Sequence, residues 1–240
     1  DRVLENEPSL HGKDQSDKRT FVMEEAYRLQ LGDIKDSLKR LNVTFDVWFS
    51  ERSLHEIGSG GDSLIEQSIG HLDSAGHLFE REGALWVRTT DFGDDKDRVI
   101  RKADGSHTYF AADAAYYLSK SDRGFLKKIY LLGADHHGYV HRLLALAEAA
   151  GDNIDANIEI LIGQLVSVDG AKLSKRAGNI IELDALQSWL GTDALRYSLA
   201  RYPANSPLTL DPDILTRRSN DNPVFYVQYA HARTHQVAHR

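Results

Sequence analysis

"KKIYLLGADHHGYVHRLLALAEAAGD", Lys127 to Asp152, changes its apolar period part-way along. Ile129 to Leu132 is a short unbroken apolar run, the pattern of a strand buried on both faces of a parallel sheet. A glycine-containing turn follows. Val140, Leu143, Leu144 and Ala147 then recur at helical spacing up to Gly151, a residue suited to closing a helix. Strand, tight turn and covering helix make one α/β unit. "IEILIGQLVSV" (Ile158–Val168) returns as strand, and Leu183, Leu186, Leu190, Ala194, Leu195 and Leu199 continue as one helix. Strands alternating with helices predict an α/β domain with a mostly parallel, Rossmann-type sheet.

Upstream, Tyr27, Leu31, Ile34, Leu38 and Leu41 step by four and three, predicting an amphipathic helix. "VTFDVWF" (Val43–Phe49) reads as a strand, "GSGGDSL" (Gly58–Leu64) breaks the chain, and a helix is expected after it to about Ala75. A hairpin is predicted about Glu82-Gly83, and a second strand pair turning at Asp104-Gly105. "YPANSPLTLDPDI" (Tyr202–Ile214) holds three of the five prolines and reads as a linker. Beyond it, Asn222-Pro223 supplies an N-cap and first-turn proline for a last helix.

Composition narrows the class. The 240 residues are 41% apolar and 27% charged, the profile of a soluble globular protein. No apolar run approaches a membrane span, and no secretory leader is visible. Absence of cysteine excludes disulfides and thiolate metal sites and fits a reducing, cytoplasmic setting. The first residue is Asp and the only methionine is Met23, which suggests a piece of a longer protein. The net charge of −7 is uneven: Ile214–Arg240 carries +3, leaving −10 on the body. That basic end is either a contact for a polyanion or a solvated helix face.

Four stretches carry candidate chemistry. "AKLSKRAG" (Ala171–Gly178) sets Lys172, Ser174, Lys175 and Arg176 together, with Gly170 and Gly178 as flanking hinges. Such cations suit the oxygens of a leaving polyphosphate, though an exposed basic turn has the same composition. Tyr109 and Asp113 lie four apart, sharing a face if helical. A carboxylate beside a phenol suits a guanidinium or ammonium, and equally an ordinary helix start. Asp135, His136, His137 and His141 fall within seven residues after a buried strand, where an open α/β sheet presents its binding edge. Metal ligands, pocket lining and solvated histidines are all open there. A metal-dependent hydrolase or nucleotidyl transferase is the competing enzyme class, but no serine elbow or second acidic cluster with ligand spacing accompanies it. "TTDFGDDKDRV" (Thr89–Val99) is acidic without the order of a calcium loop, and reads as a polar turn.

Taken together and in order, these stretches resemble a class I aminoacyl-tRNA synthetase, specifically the arginyl-tRNA synthetases. The matching residues are "FDVWFSERSLHE" (Phe45–Glu56), "TTDFGDDKDRV", "TYFAADAAYY" (Thr108–Tyr117), "YLLGADHHGYVHRL" (Tyr130–Leu143) and "DGAKLSKRAGNIIELD" (Asp169–Asp184). "GTDALRYSLA" (Gly191–Ala200) and "NDNPVFYVQYAHAR" (Asn220–Arg233) complete the series. The resemblance runs from about Lys35 onward. It implies ATP-dependent activation of L-arginine and transfer to tRNA(Arg), with Mg2+ accompanying ATP and no membrane partner. Lys175 would grip the nucleotide phosphates, with Lys172, Ser174 and Arg176 assisting, as a variant of the family's second signature in which Leu173 replaces methionine and Arg176 serine. Tyr109, Asp113 and His136 would bind arginine, and no metal-binding residue is implied. Residues 1–205 would be the second half of the catalytic domain and 206–240 the start of an all-helical anticodon-binding domain. The first class I signature is absent; "SIGH" (Ser68–His71) lacks its context, so that signature is expected upstream of residue 1. The segment is therefore expected to be inactive alone and the full-length protein a monomer. The alternative is a non-catalytic fragment or paralogue that binds tRNA or a partner.

Overall fold

The computed structural model describes residues 14–168 and 181–239. In chain order the elements are α1 (Gln15–Arg40), α2 (Leu64–Ser74), β1 (Leu78–Arg81), β2 (Ala84–Val87) and β3 (Arg98–Arg101). Then come α3 (Tyr109–Asp122), β4 (Lys128–Gly133), α4 (Val140–Ala149), α5 (Ile154–Asn157), β5 (Ile158–Gly163) and β6 (Val166–Val168). The remainder is α6 (Leu183–Leu190), α7 (Thr192–Arg201), β7 (Leu208–Leu210), α8 (Pro212–Leu215) and α9 (Pro223–Ala238). Contacts divide these into two units, one of Val47–Val166 with Pro203–Leu208, the other of the remaining residues.

The first unit is built on the α/β motif read from the sequence. β4 and β5 pair in parallel from Lys128↔Ile158 to Gly133↔Gly163, joined through α4. α4 ends as anticipated, with Gly151 N–H donating to Glu148 O and Asp152 N–H to Ala147 O. Its inner face, Leu143, Leu146, Ala147 and Ala149, joins one core with Ile65, Leu72, Val87, Ile100 and Tyr117. Four small residues of α3, Ala111, Ala112, Ala114 and Ala115, are buried and let that helix lie close against α2. β1, β2 and β3 form an antiparallel sheet whose first hairpin turns at Glu82-Gly83, both with positive φ.

Two expectations fail. Val43–Phe49, which crosses the boundary between the two units, is not a strand: Phe45, Val47 and Trp48 are exposed, Val43 is half-buried, and Phe49 packs against Tyr116 with ring centroids 4.6 Å apart. Strand propensity reports fit to a half-buried pleated surface, and three of this segment's apolar side chains are exposed instead. The turn at Asp104-Gly105 exists, with the Asp104 carboxylate accepting from Ser106 N (2.9 Å) and Oγ (2.6 Å). It does not close a strand pair. Only one bridge, Arg101↔His107, forms before the chain enters α3, and β3 pairs with β2 instead.

In the second unit the expected helix from Leu183 to Leu199 is two. α6 and α7 break at Gly191, whose φ of 81° and ψ of 158° lie in a region essentially reserved for glycine. The C-terminal end of α1 meets α7, with Arg196 Nη1 donating to Leu41 O (2.8 Å) and Asn42 O (3.0 Å). The proline-rich stretch, which is divided between the two units, is more than a linker, since it contains β7, paired with β6, and α8, capped by Asp211. Asn222 caps α9 as expected, its side chain accepting from Val224 N at 3.0 Å. Among the described residues no helix is long and apolar enough to cross a membrane.

Acid sensitivity is built into two side-chain clusters of the first unit. Burial favours a neutral Asp94, but Arg98 grips both carboxylate oxygens at 2.7 Å and brings its pKa down to about 2. Asp152 is likewise opposed by burial, yet Asn157, Lys128 and Tyr117 donors hold it at about 2. Both sit below the ordinary 3.8, so their stabilisation is present above that value and lost as pH falls through about 2. Each contributes on the order of 2 kcal/mol. Denaturant midpoints followed by circular dichroism should stay level down to about pH 5 and drop steeply between about pH 4 and pH 2; a flat midpoint there would remove both clusters from the stability balance.

Candidate active site

The turn that leads from β3 into α3 is tied back onto β3, and that junction aims the candidate recognition residues. Thr108 Oγ1 donates to Val99 O (2.7 Å), and Thr108 N–H donates to Ile100 O (3.1 Å). Glu66 of α2 braces the same turn, accepting from Arg101 Nη2 at 2.5 Å and pairing with His107 Nε2 at 2.8 Å. Tyr109 is the first residue of α3 and Asp113 lies one turn on. Both line one cavity of about 230 Å3, completed by Phe49, Glu51, Leu54, Ala112 and Tyr116. Leu54, Ala112 and the Phe49–Tyr116 ring pair give it an apolar floor and wall, Tyr109 is 89% exposed at its rim, and two carboxylates supply its charge.

The electrostatics favour a cationic guest. Burial raises the Asp113 pKa, and the Glu51 carboxylate pushes the same way; the Tyr139 hydroxyl, Arg142 and Lys120 oppose them. A ligand cation would stabilise the ionised Asp113 and relieve its repulsion from Glu51. The resident cation Lys120 is turned onto aromatic faces, its Nζ 3.8 Å from the Tyr116 ring centre and 4.3 Å from that of Tyr130. Burial chiefly, with Arg123, lowers its pKa to about 8.

Glu51 escaped the sequence reading because it lies just beyond the predicted strand Val43–Phe49 and belongs to no periodic pattern. It sits on a single 3-10 turn, Glu51–Leu54, whose buried Leu54 presses that turn onto the core. The available signal was an acidic residue two positions after an aromatic pair within a matched motif.

His136 is not among the residues lining the cavity. It lies on an exposed 3-10 turn, Ala134–Tyr139, with Nε2 3.7 Å from Asp135 Oδ2. Among the described residues no group of three or more His, Asp or Glu side chains is placed to hold a metal ion. The acidic Thr89–Val99 stretch is a polar turn: Arg98 holds Asp94 and Asp95, while Asp97 accepts from Thr90 N (3.2 Å) and Oγ1 (2.8 Å). Lys172, Ser174, Lys175 and Arg176 lie outside the described residues. A larger cavity, about 510 Å3, borders Tyr117, Lys128, Asp152 and Asn157. These four groups are engaged with one another, since Asp152 accepts from Tyr117, from Lys128 Nζ at 2.6 Å and from Asn157 Nδ2 at 2.6 Å.

Residues 8–196 match the family model for class I (R) tRNA synthetases, catalytic domain. The chain belongs to this family. Arginine–tRNA ligases of Paenarthrobacter aurescens and Micrococcus luteus are 60% and 61% identical to it over 238 residues, 99% of the chain in each case. The chain spans 42% of the length of each of these curated relatives. An arginyl-tRNA synthetase crystal structure from Campylobacter jejuni superposes with a TM-score of 0.85 at 34% identity, over 98% of this chain and 51% of that one. The Thermus thermophilus arginyl-tRNA synthetase, at 16% identity and a TM-score of 0.67 over 95% of this chain and 50% of that one, shares the fold.

Proposed function

We propose that the protein carrying this chain activates L-arginine with ATP and transfers it to tRNA(Arg), and that the cavity between α3 and the Glu51–Leu54 turn holds the arginine side chain. The observation that carries the reading is the pairing of Asp113 and Glu51 with Tyr109 on one half-apolar cavity. The carboxylates are opposite in charge to a guanidinium and can accept its parallel N–H donors, while the rings can pack its methylenes and plane. His136 remains a proposed arginine-binding residue, although it does not line that cavity. Lys172, Ser174, Lys175 and Arg176 are assigned to the ATP phosphates.

The chemistry asks for positioning and charge neutralisation more than covalent catalysis. An arginine carboxylate oxygen attacks the α-phosphorus in line, forming the adenylate as pyrophosphate leaves. The terminal ribose hydroxyl of tRNA then attacks the carbonyl and AMP departs. Magnesium is proposed to accompany the nucleotide phosphates. Residues 1–205 are proposed as part of the catalytic domain, and 206–240, opening into α9, as the start of the anticodon-binding domain. A cytoplasmic setting and a monomeric full-length protein belong to the same proposal.

The test is arginine-dependent ATP–pyrophosphate exchange by the full-length protein, with and without tRNA(Arg). Exchange with arginine and not with lysine supports the reading. Absence of exchange under both conditions, with tRNA binding retained, would leave the chain as a non-catalytic tRNA-binding paralogue. In the active protein, Lys175→Ala should slow exchange about a hundredfold while leaving arginine binding unchanged, the loss expected for one preorganised cation at a leaving group; normal kinetics would remove Lys175 from the phosphate site.

A further inference from the structure

We propose that Glu66 is a positioning residue for substrate recognition: by clamping both ends of the turn ahead of α3, its carboxylate holds Tyr109 at the rim of the cavity. This rests on the reading of the cavity as the arginine side-chain site.

Glu66 is itself firmly placed. Its N–H donates to Oγ of Ser63, the N-cap of α2, at 3.2 Å, and its neighbours Ile65, Ser68 and Ile69 are buried. From there the carboxylate divides between two partners. Oε2 accepts from Nη2 of Arg101, at the end of β3, at 2.5 Å, and Oε1 meets His107 Nε2 at 2.8 Å. An ionised carboxylate only accepts, so the His107 ring carries its proton on Nε2. Arg101 and His107 also face each other as the bridge that closes the turn, inside which Lys102 N–H donates to Ser106 O at 2.9 Å. Both ends of the turn are thereby fixed to α2, a helix anchored in the core through Ile65, Ile69 and Leu72.

The two recognition residues of α3 depend on this turn unequally. Thr108 is the N-cap of α3, but its side chain makes no capping bond and turns back to Val99 O instead. The start of the helix is therefore set from outside the helix. Tyr109 follows immediately, 89% exposed, and no hydrogen bond or ring contact holds its side chain among the described residues. Its aim comes from the backbone, where a small rotation becomes a larger displacement at the far end of the phenol. Asp113 lies one turn on, between the buried Ala112 and Ala114, where the core holds the helix. Loosening the turn therefore misplaces Tyr109 before it misplaces Asp113. A rim residue that is already ordered meets the substrate without first losing its freedom.

The experiment follows arginine-dependent exchange by the full-length protein. Glu66→Ala should raise the KM for arginine about fivefold, the cost of ordering one side chain on binding, with kcat and the KM for ATP changed less than about twofold. Glu66→Gln should recover most of the loss: its amide oxygen still accepts from Arg101, and its NH2 can donate to the other tautomer of His107. In a Tyr109→Ala background Glu66→Ala should add nothing, whereas with Asp113→Asn it should still add its fivefold. A general loss of stability would not give that split. An unchanged arginine KM in Glu66→Ala, or the same fivefold rise without Tyr109, would overturn the proposal and leave the clamp as a structural tie. Where Glu66→Ala does not fold, His107→Ala removes one arm of the clamp; a rise in KM that vanishes in the Tyr109→Ala background supports the proposal, and an unchanged KM overturns it. Failure of the wild-type protein to support arginine-dependent exchange would instead overturn the arginine reading, so the two failures are distinguishable.

Discussion

Asp113→Asn in the full-length protein should raise the KM for arginine roughly a hundredfold, with a much smaller fall in kcat. The side chain keeps its size and loses its charge, so the cavity survives while Glu51 alone balances the guanidinium. Truncating one partner of a desolvated charged pair costs about 3 kcal/mol, and each 1.4 kcal/mol is about tenfold. The loss should be independent of ATP, which separates it from damage to the phosphate site. The pH dependence has a definite sign. Burial raises the Asp113 pKa, so the binding form is lost as pH falls, and the wild-type KM should climb on the acid side. The asparagine variant has no such carboxylate and should flatten that rise. Arginine titrations of initial exchange rates across pH check both parts; an unaltered KM would expel Asp113 from the pocket and with it the assignment of the cavity.

Asp152→Ala should be strongly destabilising. Its carboxylate is the common acceptor for Tyr117, Lys128 and Asn157, which hold together α3, the start of β4 and the end of α5. Lys128 is 9% exposed and Tyr117 2%. Alanine would strand an ammonium, a phenol and an amide in the interior, and an uncompensated buried charge of this kind costs about 3–5 kcal/mol. Lys128→Met combined with Asp152→Leu, which removes both charges, should recover much of that loss, because replacing a buried pair by apolar groups is often close to neutral. Urea denaturation of the full-length protein gives both values. An Asp152→Ala loss below about 1 kcal/mol, the level of an exposed ion pair, would show that the cluster is solvated.

The β4–α4–β5 unit was legible because its period changes where its structure changes, from the apolar run at Ile129–Leu132 to the face of Val140 to Ala147. Tyr109 and Asp113 were legible as a pair because four residues make one helical turn. Other features were hidden for reasons that can be named. Glu51 reaches the cavity through tertiary packing of Leu54 beneath its turn, which no local pattern encodes. The Asp152 cluster joins residues 24 and 35 positions apart, and Lys128 in the sequence is only the polar flank of a strand. The division of Leu183–Leu199 was invisible because leucines at helical spacing continue on both sides of a one-residue break. Val43–Phe49 misled because β-branched and aromatic residues also occur where a chain merely crosses a surface.

That one-residue break bears on how the family can vary. At Gly191 the space around the backbone is open, with nothing within 4 Å of where a Cβ would stand. Crowding therefore does not restrict substitution there; the dihedral angles do, at a cost of about 1–3 kcal/mol for any side chain. The helices on either side can exchange surface residues freely over generations, whereas the angle at which they meet is transmitted through a position that tolerates almost no alternative. Drift in this part of the molecule is thus channelled by a residue that has no side chain of its own.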